Sequence, residues 1–159
     1  AADIALKAAG VRPALQIVER EYGLLEIHSE QQAEVLASGQ AILDALGLTE
    51  NDRIKPQIGS TQFITNVHPY QAQLLNKWRK GSLLMPGDSL FILEVAPAAY
   101  VALAANEAEK AANIKVIEIR AVGRYGRMFL SGTESDVRTA MEAAVAALED
   151  ITGVEEGRR

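Results

Sequence analysis

The residues with most chemical capacity lie in two short polar turns, Glu19-Arg20-Glu21-Tyr22-Gly23 and Gly123-Arg124-Tyr125-Gly126. Each sets formal charge beside a tyrosine and a glycine. Arginine can hold a carboxylate through two parallel N–H donors, and glycine permits the backbone excursions that a moving turn requires. Glu19 and Glu21 fall on the same side of a strand end. Paired carboxylates act as acid and base only in a cleft that raises one pKa, and nothing around these two supplies one. By themselves both turns read as hairpin turns with solvated charges.

Other candidates for chemistry are few. His28 and His68, the only histidines, stand in no spacing that makes a metal pair or supports a nucleophile. His28 closes a strand and reads as a surface or interface residue, and His68-Pro69 reads as a turn. The run GRYGR lacks both the pattern and the helix start of a phosphate-cradling loop. The chain has no cysteine, which excludes disulfides, thiolate catalysis and cysteine-built zinc or iron–sulfur sites. No enzyme activity, metal or cofactor is expected. Lys77-Trp78-Arg79-Lys80 has the composition of a base-stacking patch. The chain's net charge of −5 argues instead for a solvated helix end with one anchored aromatic, packed against the other domain, and no nucleic-acid partner.

These turns need elements to hold them. At 159 residues, 48% hydrophobic and 23% charged, the chain has the composition of a packed globular protein of one domain or two small ones. No apolar run approaches the roughly 20 residues that span a bilayer, and no basic-then-apolar leader stands at the start. A cytoplasmic protein with no membrane partner is the expectation. Ala1–Ala9 reads as a helix stopped by Gly10, Leu15–Val18 and Leu24–His28 as a hairpin, and Gln31–Leu46 as an amphipathic helix capped at Ser29 and stopped by Gly47. Further on, Ser60–Val67 reads as a strand, Pro69–Lys80 as a short helix and Asp88–Val95 as an apolar strand. A long helix from Ala96-Pro97 to Ala112 follows, then strands Ile114–Val122 and Arg127–Ser131 and a helix Ser135–Ile151 capped by Thr133 or Ser135.

The order helix, hairpin, helix occurs twice. Ala1–Val11 and Ala104–Ile114 are one segment written 103 positions apart, with Ala5/Ala108, Lys7/Lys110, Tyr22/Tyr125 and Gly23/Gly126 identical at that offset. After a one-residue slip the match resumes at Glu34/Asp136 and Val35/Val137. Matched alanines in helices come cheaply; a lysine at one place on a helix and a Tyr-Gly at one place in a turn do not. Two copies of one module follow. The first copy lacks the strands that precede the second, and a lone hairpin with two helices makes a poor core. The natural chain is therefore expected to extend further at its N-terminus. The expected bounds are 1–50 for the first domain, 51–59 for a connector and 60–159 for the second.

From Gly87 to Leu148 the chain resembles a bacterial microcompartment (BMC) shell domain: apolar strand, helix ending Lys110-Ala111-Ala112-Asn113-Ile114, strand, glycine-containing turn, strand, alanine-rich helix. Residues 1–48 resemble the same domain from its first helix onward. Because Ser60–Val67 precedes the second copy instead of following its last helix, the arrangement is similar to the circularly permuted, tandem-domain, trimer-forming shell proteins, a class that includes the carboxysome's tandem shell protein. Asn66-Val67-His68-Pro69 is at best a remnant of the family's terminal tail.

The resemblance implies an α+β chain of two tandem BMC domains, each a small antiparallel sheet flanked by helices. Three chains would form a pseudohexameric homotrimer, a structural shell tile that joins other shell proteins, as a single trimer or as two stacked trimers. Lys7 and Lys110 match the family's edge lysine. Beside that stands the plainer reading of a solvated lysine placed well against a helix dipole. Glu19, Arg20, Glu21, Tyr22, Gly23, Gly123, Arg124, Tyr125 and Gly126 match the loops around the central pore through which small metabolites pass. Three Glu21 carboxylates and three Arg124 guanidiniums around one hole would attract and close it, a gate that loop movement reopens. The rival class is a ferredoxin-like trimeric regulatory protein binding a small metabolite between subunits. Assembly into sheets separates the two.

Overall fold

The computed structural model describes residues 1–156. They form two compact units, one of Ala1–Lys55 with the chain from Thr152 onward, the other of Pro56–Ile151.

The first unit runs α1 (Ala2–Ala8), β1 (Arg12–Ile17), β2 (Leu24–His28) and α2 (Gln32–Leu46), followed by a single 3₁₀ turn at Glu50–Asp52. β1 and β2 pair antiparallel as a two-stranded hairpin. β1 starts at Arg12, earlier than the Leu15 read from the sequence. Pro13 has no N–H to give, and such a residue is tolerated in an edge strand where the register slips, here between Pro13 and Leu15. α1 packs on α2 through Ala5 and Ser38, both fully buried. The Ser38 hydroxyl donates to the Ala5 carbonyl at 3.1 Å, so the one polar side chain in that contact is satisfied. Beyond α2, Asp52 accepts from both the Thr49 N–H and its hydroxyl at 2.8 Å. The segment 53–55 is then joined by the late chain through an isolated parallel bridge, Ile54 with Val154. Val154 N–H donates to Arg53 at 2.8 Å, and its carbonyl accepts from Lys55 N–H at 2.9 Å.

The second unit is a four-stranded antiparallel sheet in the order β3-β4-β6-β5, with β3 at Gln57–Ile64, β4 at Ser89–Ala96, β5 at Lys115–Arg120 and β6 at Gly126–Gly132. Helices α4 (Tyr100–Ala111) and α5 (Glu134–Glu149) pack against Phe91, Leu93 and Val95 of β4 and Met128 and Leu130 of β6. α5 presents Val137, Ala140, Ala144 and Leu148, the three-and-four spacing of one helix face. Alanines at 104, 105 and 108 of α4 meet them and let the two helices approach closely. α3 (Pro69–Asn76) belongs to a smaller cluster containing Val67, Ala72, Leu84, Leu90 and Ile117. β4 is thus apolar almost throughout because both of its faces are buried.

Two helix boundaries differ most from the sequence reading. α4 begins at Tyr100, not at Ala96-Pro97: that peptide is cis, and Pro97 instead closes a turn by accepting from Tyr100 N–H at 3.2 Å. α3 stops at Asn76, leaving Lys77–Lys80 outside it. Its N-cap is His68, whose Nδ1 accepts from Tyr70 N–H at 3.2 Å, so that histidine has a structural partner. Thr133 caps α5, accepting from Asp136 N–H at 3.2 Å.

Candidate pore turns and tile edge

The turn between β5 and β6 is held by two glycines with different tasks. Gly123 has φ +86°, a left-handed conformation that L residues adopt at a cost. Gly126 is buried as the first residue of β6, and a Cβ there would stand 2.2 Å from the Ala98 carbonyl oxygen. Its missing side chain answers close packing and gives it no freedom to swing. Between them Arg124 and Tyr125 are exposed. The Arg124 guanidinium carbon lies 5.8 Å from the centre of the Tyr125 ring, within cation–π reach. The ring rests over Gly59 of β3, where a Cβ would come within 3.1 Å of it. The sequence shows nothing of that seat.

In the first unit Glu19, Arg20 and Glu21 are exposed between β1 and β2. Tyr22 is half-buried, and its hydroxyl donates to the Glu156 carboxylate from the far end of the chain. Gly23 passes close to the Ile17 carbonyl, which a Cβ would approach to 3.1 Å. Each tyrosine therefore has its own anchor, a strand glycine for Tyr125 and a carboxylate for Tyr22.

The two matched lysines also behave alike. Lys7, in the last turn of α1, donates to Asp3 at 2.8 Å, and Lys110, in the last turn of α4, donates to Glu107 at 2.7 Å. Both lysines are exposed. Hydrogen bonding from Lys110 holds the Glu107 carboxyl below its ordinary range. Such exposed pairs within one helix contribute little to stability.

One arrangement escaped the sequence reading because strand register was needed to see it. Ser60, Glu94, Arg127 and Arg120 are successive cross-strand partners, a polar row over all four strands of the second sheet. The Ser60 hydroxyl donates to Glu94 at 2.9 Å, and Arg127 donates to the same carboxylate through Nε. The Ser60 bond first and the Arg127 bond second hold the Glu94 carboxyl below its ordinary value of 4.5. A carboxyl depressed in the folded state stabilises the fold above its unfolded pKa and loses that contribution as pH falls through the folded value. Glu94→Gln is therefore expected to lower stability at pH 7 by about 0.5–1 kcal/mol, discounted because Arg127 is half-exposed. In urea titrations the gap between the two proteins should narrow as pH falls below the ordinary value of 4.5 and on through the lowered folded value; a gap unchanged there would refute the assignment.

Trp78, expected as an anchored aromatic, is 70% exposed. It lies beyond the end of α3, so the helix that would have carried it into packing has already stopped. Among the described residues no group of three His, Asp or Glu side chains converges to hold a metal ion, and no helix is long and apolar enough to cross a membrane.

Comparison with known proteins bears on both units. Residues 1–52 match the family described as the CsoS1D N-terminal domain, and residues 89–156 match the BMC domain. The chain is 56% identical over 153 residues to the carboxysome shell protein CcmP of Synechococcus elongatus, covering 96% of this chain and 72% of that one. Among solved structures it is similar to the fused permuted hexameric shell protein MSM0275 from the RMM microcompartment, with a TM-score of 0.88 and 46% identity over 92% of this chain and 74% of the other. The double ringed trimeric shell protein MSM0271 from the same microcompartment gives a TM-score of 0.94 and 37% identity over 98% of this chain and 77% of the other. With both of its units matched and this identity sustained along its length, the chain belongs to the tandem-domain bacterial microcompartment shell proteins.

Proposed function

We propose that three copies of this chain form a six-domain tile in the shell of a carboxysome-type microcompartment, with the turns at Glu19–Gly23 and Gly123–Gly126 lining a central pore for small metabolites. Lys7 and Lys110 lie on the border with neighbouring tiles. The observation that carries this reading is the repeat itself. Both units place a lysine in the last turn of a helix and a tyrosine in the following hairpin turn, as a pseudo-sixfold ring of equivalent modules requires. The carboxysome assignment rests on the identity with CcmP.

Opposite charges in equivalent turns give the pore its gate. Glu21 from one module and Arg124 from the other pair when the turns face each other and separate when they move. The test starts with absolute mass by light scattering behind size exclusion. A trimer, or two trimers together, supports the ring, and a monomer or dimer overturns it. With the ring in place, Glu21→Gln and Arg124→Gln are expected to raise single-pore conductance severalfold by removing the closing pair, with the mass unchanged. Conductance unchanged in both variants would remove the gate and leave the tile. The similarities above lie among shell proteins and do not favour a regulatory protein holding a metabolite between subunits.

A further inference from the structure

A half-open groove of about 190 Å³ lies within the second unit, lined by Leu75, Trp78, Ile117, Glu118, Arg120, Arg127 and Phe129. Its floor is apolar and one wall carries the exposed indole of Trp78. Its polar part is unusual, because Arg120 and Arg127 are direct cross-strand partners on β5 and β6. Like charges directly opposite one another destabilise a sheet, so this pair needs compensation.

Two carboxylates supply part of it. Arg120 donates through Nε to Glu118 at 2.6 Å, and Arg127 donates through Nε to Glu94. Glu118 is only 5% exposed, and its hydrogen bond raises the Arg120 pKa. It is a fixed member of the wall. A guanidinium has five N–H donors, and each of these two uses one of them on its carboxylate. Their terminal nitrogens make no hydrogen bond to protein among the described residues, and both side chains are half-exposed. Lys77, Arg79 and Lys80 flank Trp78 and are exposed, which gives the mouth of the groove a positive bias despite the two paired acids.

We infer that this groove binds a small organic anion with a flat apolar body, a carboxylate or phosphate on a planar ring. The anionic group bridges the terminal nitrogens of Arg120 and Arg127, and the ring lies between Trp78 and the floor of Leu75, Ile117 and Phe129. Planar bidentate donors suit both oxyanions, and an aromatic face favours a flat partner. The volume falls below the roughly 300–1,000 Å³ of drug-sized clefts, which limits the ligand to one ring. Every residue in the site belongs to one unit of one chain.

Trp78 is the chain's only tryptophan, so its fluorescence reports on the groove directly. Titrating the full chain with phenyl phosphate is expected to quench it saturably. Inorganic phosphate and benzyl alcohol, each carrying half of the required chemistry, should bind at least tenfold more weakly. Arg127→Gln and Arg120→Lys should each weaken phenyl phosphate about tenfold, the second variant keeping a positive charge beside Glu118 while removing the planar fork. Trp78→Ala, at an exposed position that does not threaten folding, should weaken it comparably when read by calorimetry. Absence of saturation with phenyl phosphate would overturn the proposal. So would benzyl alcohol binding as well as phenyl phosphate, or unchanged affinity in both the Trp78 and Arg127 variants.

Discussion

Gly126→Ala is expected to remove about 3 kcal/mol from the stability of the second unit. The added methyl would meet the Ala98 carbonyl oxygen at 2.2 Å and its carbon at 2.9 Å, and backbone atoms cannot rotate out of the way as a side-chain end can. Ala98 sits between β4 and α4, so relief means moving the start of α4 or breaking the pairing of Gly126 with Val95. Both choices disturb the core that Val95 and Val101 share with α5. Urea unfolding should show a lower midpoint with an unchanged slope. Gly39→Ala is the matching control, since Gly39 lies inside α2 with nothing within 4 Å of the new methyl. That change should be neutral or stabilise by up to about 1 kcal/mol. A loss below about 1 kcal/mol at Gly126 would mean that the backbone there yields, and Gly126 would then regain the mobility suggested for it as part of a turn.

That contrast shows where reading the chain succeeded. The helices were legible because their apolar spacing and stops are local: Val137, Ala140, Ala144 and Leu148 lie on one face of α5, and Gly47 closes α2 in the left-handed region. The duplicated module was legible because lysine and Tyr-Gly recur at equal offsets. Glycine function was not legible, since the letter is the same whether it answers a positive φ, as at Gly123, or a carbonyl 2.2 Å away, as at Gly126. Neither was anything that depends on register. Arg120 and Arg127 are separated by a turn in sequence and become facing charges only once β5 and β6 pair. Trp78 misled for a related reason: amphipathic spacing extends α3 to Lys80, whereas the helix ends at Asn76 and leaves the indole outside. The Tyr22 hydroxyl reaches Glu156, a contact between residues 134 apart that no local pattern encodes.

The Lys7→Ala, Lys110→Ala double variant is expected to abolish the growth of tiles into two-dimensional sheets while leaving the tile itself intact. Each lysine has two properties that an edge contact can use, a long apolar stem and a mobile ammonium. The stem can lie along a flat neighbouring surface. The ammonium at present donates to an acid one turn back, at 2.8 Å for Asp3 and 2.7 Å for Glu107, and those exposed pairs are worth so little that exchanging them for a partner across the border costs almost nothing. Folding stability of the double variant should therefore stay within about 0.5 kcal/mol of the parent, and light scattering should return the parent's particle mass. Electron microscopy at matched high concentration should show sheets for the parent and none for the variant. The companion variant Asp3→Ala, Glu107→Ala separates the two properties. If the intrahelical ion pairs were what the border requires, it would lose sheets too; with the lysines themselves responsible, it keeps them. Sheets persisting in the lysine double variant would return Lys7 and Lys110 to the status of solvated lysines at helix C-termini, where the dipole alone accounts for their recurrence.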